Sequence, residues 1–409
     1  MSRPPTPSSS LVGAAPPHVV QVLDGASAGT GAHVRSLAAG LVARGLRVTV
    51  CAPPGAELAY GFTGAGAHFA PTPARSEAEA AAALRRFCAD ADLVHAHGLR
   101  AGLLAVTALA LTGRRRVPLV VTWHRRGHAR GARARLARFT ERRVARAATV
   151  VLGATTDLVD RARRRGARDA RFAPVVLPGP RRKMRTGEPR GIAEGRERLK
   201  TRAEVGAAER PLVFSVGRLD AHHGYGTALT AARAWRHLDP PPLLAIAGEG
   251  PDRAALQRRI DAESLPVRLL GRRDDAFQLL AGADVALLSS RWEGRSLLAQ
   301  EALLEGVPLI ATSVGGVPEL VGRGALLIPY GDPDALASGV AGLLADPDRR
   351  IRLTSAGRAR ATTWPTEQTT VAQVLSVYDE LAPARTRAAP PRVARPRSGI
   401  RPLGGGRRG

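Results

Sequence analysis

The chain has 409 residues and a formal net charge of +26, from 61 Lys and Arg against 35 Asp and Glu. Its length accommodates two domains with cores of their own, and it has no apolar run of about eighteen residues that would read as a transmembrane helix. Two cysteines, Cys51 and Cys88, exclude a disulfide framework and a cysteine metal cluster and suit a reducing compartment.

Met1–Pro17 is rich in Pro and Ser, lacks a basic-then-apolar signal pattern and reads as a disordered leader. Residues 18–180 read as one α/β domain. It opens with strand Pro17–Leu23, a small-residue loop Asp24–Gly31, helix Ala32–Ala43 and strand Arg47–Cys51, a βαβ start. Further strands are predicted at Leu93–Ala96, Pro118–Thr122, Thr149–Leu152 and near Phe172–Leu177. Residues 181–209 are polar and charged and read as a linker running into a helix.

A second α/β domain, 210–364, follows. Its strands are predicted at Leu212–Val216, Leu243–Ala247, Val267–Leu270, Val285–Leu288, Pro308–Ala311 and Ala325–Ile328, with helices between them. Asp348–Leu381 reads as helix broken near Trp364-Pro365, its last part (about 365–382) completing the first domain; 383–409 is a basic tail, disordered by composition. The fold class is α/β: two tandem Rossmann-like domains facing a central cleft, where strand C-termini and helix N-termini converge.

The most informative segment is Ser290-Arg-Trp-Glu-Gly-Arg-Ser-Leu-Leu-Ala-Gln-Glu301. It joins a buried strand to a helix. Glu293 falls at the turn and Glu301 about two helical turns further on. Free N–H groups at a helix start favour an anion, and carboxylates beside them can accept hydrogen bonds from hydroxyls. Phosphate plus polyol describes a nucleotide sugar. Taken alone, two acids at this spacing are ordinary solvated helix carboxylates.

Context comes from an ordered set of further motifs: Val216-Gly-Arg-Leu219, Ala247-Gly-Glu-Gly-Pro251, Leu270-Gly-Arg272 and Gly306-Val-Pro-Leu-Ile-Ala-Thr-Ser-Val-Gly-Gly-Val-Pro-Glu319. With the Glu293…Glu301 pair, these resemble the retaining glycosyltransferases of GT-B fold, family 4 (group 1). The resemblance is to the bacterial branch that includes phosphatidylinositol mannosyltransferases and D-inositol-3-phosphate glycosyltransferase, and it runs over about residues 18–382.

The resemblance implies a hexosyltransferase (EC 2.4) that takes a UDP- or GDP-sugar as donor substrate, needs no cofactor and uses no protein nucleophile. It implies that Glu293 holds hydroxyls of the transferred sugar and Glu301 the ribose hydroxyls. Backbone N–H groups of Arg295, Ser296, Leu297 and Leu298 would meet the diphosphate, and Arg218 would neutralise the leaving phosphate. Gly29, Gly248 and Arg272 join the donor site, and His124, closing strand Val120–His124, joins Arg218 and Glu293 at the reaction centre.

The sequence departs from the family where a Lys usually follows Arg218 by five residues: His223 stands there. Either a protonated His223 replaces that cation, or the chain is a catalytically impaired relative that binds nucleotide sugars. Three Asp-x-Asp triplets, at 90–92, 332–334 and 346–348, lack the setting of a metal site; the two with Pro read as helix N-caps, and no metal is expected.

The charge is uneven. Residues 113–185 carry 22 bases and 4 acids, the tail eight arginines and no acid, and the remainder sums to zero. The basic block adjoins His124, and Arg125, Arg126 and Arg130 are its cations nearest the expected reaction centre. The helix around Ala132–Ala147 carries six arginines with Leu136, Phe139 and Val144. It suits an anionic membrane surface or a phosphorylated or lipid-linked acceptor, or it is simply a solvated face. Nucleic acid is the rival partner, but 4% aromatic content and the lack of a recognition motif argue against it. The expected location is cytoplasmic, at most peripheral on the inner face of the cell membrane.

Overall fold

The computed structural model describes residues 16–25, 28–73, 76–113, 117–127, 131–176 and 190–381. The leader up to residue 15, the tail, Leu177 and Arg130 lie outside the described residues.

The first unit runs β1 (His18–Leu23), α1 (Ala28–Val42), β2 (Arg47–Ala52), α2 (Gly55–Tyr60), β3 (His68–Pro71), α3 (Glu77–Ala89), β4 (Leu93–His97), α4 (Leu99–Ala110), β5 (Leu119–Trp123), α5 (Gly131–Ala147), β6 (Val150–Gly153), α6 (Thr156–Arg164) and β7 (Ala170–Phe172). The second begins with α7 (Arg190–Glu204), β8 (Leu212–Val216), α8 (Tyr225–Trp235), β9 (Leu243–Ala247), α9 (Arg253–Ala262), β10 (Val267–Gly271) and α10 (Ala276–Ala281). It continues with β11 (Val285–Leu288), α11 (Leu297–Glu305), β12 (Leu309–Thr312), α12 (Val317–Val321), β13 (Ala325–Ile328), α13 (Pro333–Ala345), α14 (Pro347–Ala361) and α15 (Glu367–Leu381).

Two parallel sheets result, ordered β3-β2-β1-β4-β5-β6-β7 and β10-β9-β8-β11-β12-β13. The central strands are buried on both faces, as helix-flanked parallel strands must be, which is why they read as largely apolar runs. In each sheet the order reverses beside the first strand, so loops diverge there and open a crevice at the strand C-termini.

Several boundaries differ from the sequence reading. Helix α1 starts at Ala28, not Ala32, because the small residues of the expected loop continue the helix: Gly31 lies against the Tyr60 ring, where an added Cβ would overlap the aromatic carbons. Gly29 is therefore in the first turn of α1. The strand expected at Phe172–Leu177 is instead Ala170–Phe172, pairing with β6. β3 and α2 carry too short a pattern to announce themselves. Much of the expected linker is α7, docked on the second unit: Thr201, Val205 and Ala207 are buried, and Arg198 and Arg202 both bind the Asp284 carboxylate at 2.6 and 2.7 Å.

Helix α15 packs against the first unit. Val371, Val374, Val377 and Tyr378 pack with α1 and β1, Gln21 donates to the Tyr378 hydroxyl at 3.0 Å, and Arg171 pairs with Glu380 at 2.8 Å.

Part of the basic block is consumed internally. Glu141 of α5 is buried and accepts from both Arg161 and Arg165 at 2.7 Å, tying α5 to α6 and the residue after it. Removing the shared acid would leave two largely enclosed guanidiniums without a counter-charge. Glu141→Gln should therefore lower unfolding free energy by about 3–5 kcal/mol, read from urea denaturation.

Candidate functional site

Three residues expected on the donor side lie on loops leaving β8, β9 and β10. Arg218 follows β8, Gly248 follows β9 and Arg272 follows β10. Together with Val216, Gly217, Ala247, Glu249 and Arg273 they line one cavity of about 200 Å³. The Arg218 and Arg272 side chains are 70% and 84% exposed and sit 3.7 and 3.3 Å from the carboxylates of Asp220 and Asp274, so both guanidiniums reach solvent. Gly248 has φ +150°, and an added Cβ would lie 1.9 Å from the Gly217 carbonyl oxygen. Only glycine lets these two loops touch along the cavity wall.

His223 lies behind Gly217, a residue of the cavity lining. Its ring lies over Gly217, where an added Cβ would sit 2.7 Å from Cδ2, and stacks at 6.1 Å on Tyr225. Its Nδ1 is 2.8 Å from Asp220 Oδ1. Burial would lift the Asp220 carboxyl, but the hydrogen bond and charge of His223, with backbone N–H groups of His222 and His223, outweigh it and hold the acid below its ordinary value.

The Ser290–Ser296 turn is fastened on several sides. Arg291 N–H donates to the His222 carbonyl at 2.7 Å, and Ser290 Oγ donates to Glu293 Oε1 at 2.8 Å. Gly316 N–H donates to the Glu293 carbonyl at 2.8 Å. Gly315, at φ +54°, packs so close that an added Cβ would lie 2.1 Å from that same carbonyl. Ser296 caps α11 by accepting from Ala299 N–H at 3.3 Å. The amides of Arg295, Leu297 and Leu298 precede the first intrahelical donor, Gln300 N–H, which bonds the Ser296 carbonyl at 3.1 Å. Arg295 is enclosed, and burial lowers its pKa despite the nearby Glu319.

Glu301 is 7% exposed in the second turn of α11. Burial, reinforced by Glu305, pushes its carboxyl up from 4.5 to about 7. It is thus a buried acid and not a solvated one.

The two units meet at this turn. Trp292 is buried in the first unit's core and its Nε1 donates to Asp157 at 2.9 Å. Thr156 donates to Glu319 through N–H and Oγ at 3.3 and 3.1 Å. Gly294 abuts the carbonyl of His124, 3.1 Å from an added Cβ. His124 and Glu293 are thereby brought to the same seam from different sheets.

Around His124 stand three more histidines. His33 of α1 lies edge-on at 5.6 Å, and His97 is stacked at 5.5 Å with Nδ1 3.2 Å from His124 Nε2. Burial, then the neighbouring imidazoles His33 and His95 and the Arg125 charge, hold His124 well below its ordinary pKa. His33 falls to about 4 through burial. His95 and His97 are fully enclosed and hydrogen-bonded through both ring nitrogens, as structural histidines are. Arg125 and Arg126 are exposed just past β5; the Arg125 charge reaches Asp24, whose carboxyl burial raises against the pull of Arg100 and Arg125.

Asp92 accepts from His18 N–H at 2.8 Å, and Asp332 and Asp346 cap α13 and α14. The Asp-x-Asp triplets therefore have structural work. Among the described residues no group of three His, Cys, Asp or Glu is disposed to hold a metal.

Trp292, Asp157, Thr156 and Glu319 were missed as seam residues because their partners are 135 and 163 positions apart. Only Gly315-Gly316 hinted at a close approach.

The raised Glu301 carboxyl has a signed consequence. Between pH 4.5 and about 7 the unfolded chain releases this proton while the folded chain keeps it, so stability falls as pH rises through that window and levels off above it. Glu301→Gln should leave stability nearly unchanged near pH 4 and raise it by up to about 3 kcal/mol at pH 8, compared by thermal melting at both values.

Comparison with known proteins agrees with the geometry. Residues 28–178 match the glycosyl transferase 4-like domain model and 197–360 the glycosyl transferases group 1 model. A glycogen synthase of Mycobacterium tuberculosis is 35% identical over 182 residues, 42% of this chain and 43% of that protein. A GDP-mannose-dependent alpha-(1-6)-phosphatidylinositol monomannoside mannosyltransferase of Mycolicibacterium smegmatis is 32% identical over 204 residues, 44% and 51% respectively. The chain thus spans about half the length of these relatives. The Anabaena protein Alr3699/HepE, solved in complex with UDP, superposes with a TM-score of 0.72 at 18% identity, covering 89% of this chain and all of that one; it shares the two-sheet GT-B fold. With one family model on each sheet, together spanning both walls of the seam, the chain belongs to the group 1 glycosyltransferases.

Proposed function

We propose that the protein is a retaining glycosyltransferase that moves a hexose-type sugar from a UDP- or GDP-sugar to an anionic or lipid-linked acceptor. The carrying observation is the cavity lined by Arg218, Gly248 and Arg272, in the same unit as the Ser296-capped start of α11. A nucleoside fits the cavity, and its diphosphate is directed to the α11 N-terminus and the exposed Arg218 guanidinium. Glu301 receives the ribose hydroxyls. Glu293, held by Ser290, receives hydroxyls of the transferred sugar. The relatives' names support the donor class but differ in base: one is GDP-mannose-dependent, and the solved Anabaena structure contains UDP.

In the proposed reaction the sugar C1–O bond to the diphosphate breaks while the acceptor oxygen bonds to C1 on the same face. The acceptor proton passes to the departing phosphate oxygen, so no protein nucleophile and no metal is needed. His223, anchored by Asp220 at the cavity wall, supplies the second cation beside the leaving group. The competing reading, a donor binder without turnover, rests on that same substitution.

The acceptor side is argued from α5. Arg133, Arg135, Arg138, Arg142, Arg143 and Arg146 are all exposed, and between them Leu136 and Phe139 are 67% and 64% exposed. At helical spacing Leu136, Phe139 and Arg143 share one outward face, opposite buried Glu141 and Ala145. Apolar side chains framed by arginines suit an anionic bilayer surface. Among the described residues no helix is long and apolar enough to cross a membrane.

Three measurements test this reading. A panel of UDP- and GDP-sugars should raise the melting temperature for one base, with turnover or donor hydrolysis insensitive to EDTA; no shift with either base would overturn the donor assignment. His223→Lys should maintain or raise turnover, and its abolition would remove His223 from the leaving-group site. The protein should sediment with phosphatidylglycerol vesicles at low salt, release as salt rises, and lose binding in Leu136→Asp/Phe139→Asp; no sedimentation at low salt would end the membrane assignment.

A further inference from the structure

The buried face of the first sheet carries a polar run that ends at His124. Side chains alternate along a strand, so Gln21 of β1, His95 and His97 of β4, and Thr122 and His124 at the end of β5 share one face. Strand register sets Gln21 beside His95 and His97 beside Thr122. Tyr378 of α15 joins them. The contacts are His124 Nε2 to His97 Nδ1 at 3.2 Å, His97 Nε2 to Gln21 Oε1 at 2.6 Å, and Gln21 Nε2 to the Tyr378 hydroxyl at 3.0 Å. From Tyr378 the run continues to His95 Nδ1 at 2.6 Å and from His95 Nε2 to Thr122 Oγ1 at 2.7 Å. Gln21 and His95 are fully buried, and His97 and Tyr378 nearly so.

This geometry dictates where hydrogens sit. Gln21 Nε2 donates to Tyr378, so Oε1, which can only accept, faces His97. His97 must carry its hydrogen on Nε2. Burial and the surrounding imidazoles keep His97 and His124 neutral, and a neutral ring has one N–H. His97 Nδ1 is then a lone pair, and the hydrogen of the last link belongs to His124 Nε2. Among the described residues His124 Nδ1 makes no hydrogen bond.

We propose that the Gln21 amide, anchored by Tyr378 of the returning helix, fixes His124 as the Nε2–H tautomer and so makes Nδ1 a hydrogen-bond acceptor for a ligand hydroxyl. Gln21, His97 and Tyr378 are positioning residues that act through His124. The ligand in this statement rests on the donor-sugar reading above; the tautomer does not, and it is measurable in the free protein. Turning the amide around would invert both links and put the hydrogen on Nδ1, so one ring reports the polarity of the run.

The test is nitrogen-15 NMR on histidine-labelled full-length protein, with His124 assigned by loss of its signals in His124→Gln. In the unsubstituted chain Nε2 should show the protonated-nitrogen shift and Nδ1 the lone-pair shift. Gln21→Met removes the acceptor of His97 Nε2–H. A buried N–H without a partner is costly, so His97 should move its hydrogen to Nδ1 and the two His124 nitrogen shifts should exchange. Tyr378→Phe, which keeps the amide but removes its anchor, should move them in the same direction and guards against a Gln21 variant that fails to melt cooperatively. An Nδ1–H tautomer in the unsubstituted protein would overturn the proposal, as would His124 shifts unmoved by either folded variant. Loss of nucleotide-induced stabilisation would bear on the donor reading and leave this measurement intact.

Discussion

The Ser290–Ser296 turn is clamped between the two units, and the arrangement of the site depends on that clamp. Trp292 sits in the hydrophobic core of the first unit while its neighbours Glu293 and Gly294 belong to the second. A buried indole N–H bound to Asp157 is both an apolar anchor and a directional one. Gly315 and Gly316 press on the turn from behind with no room for a side chain. The carboxylate of Glu293 and the start of α11 are thus positioned by contacts with the unit across the seam as well as by their own strand and helix.

The same logic explains why α15 returns to the first unit. Residues 367–381 bury valines against α1 and bring Tyr378 onto the polar face beneath His124. The chain's last described helix therefore closes a core and orders a network at once. Shearing the units apart would disturb the Trp292 seam directly, whereas the histidine network sits wholly on the first unit and its returning helix.

How far the sequence reached is clear from particular elements. The parallel strands were legible because burial on both faces leaves mostly apolar residues, as in Leu243–Ala247 and Val285–Leu288. The Glu293 turn, Arg218 and Arg272 were legible as an ordered motif set, and the break at Trp364-Pro365 as a helix boundary. What escaped was whatever depends on partners distant in the chain. Gln21 looked like one polar residue in an apolar strand, and nothing near it announces Tyr378, 357 positions away. The α1 start was misjudged because glycine and alanine suit a loop and a tightly packed helix turn alike. The arginine block read as one surface, yet Glu141 draws two of its members inward.

Electrostatics gives the remaining step. In the proposed donor reading two acids flank a diphosphate, and like charges raise each other's pKa and weaken binding. Burial already pushes Glu301 up to about 7, so near neutrality a large share of it is uncharged and able to donate as well as accept. Glu293 takes a hydrogen bond from Ser290 that draws density off one carboxylate oxygen. Arg218 and Arg272 stay exposed with only loose carboxylate partners, and Asp220 is committed to His223. The cavity therefore offers an anion two exposed guanidiniums, while the proposed donor reading assigns Glu293 and Glu301 to neutral hydroxyls. A nucleotide sugar carries its charge in the middle and its hydroxyls at the sides, the distribution that the proposed donor site would complement.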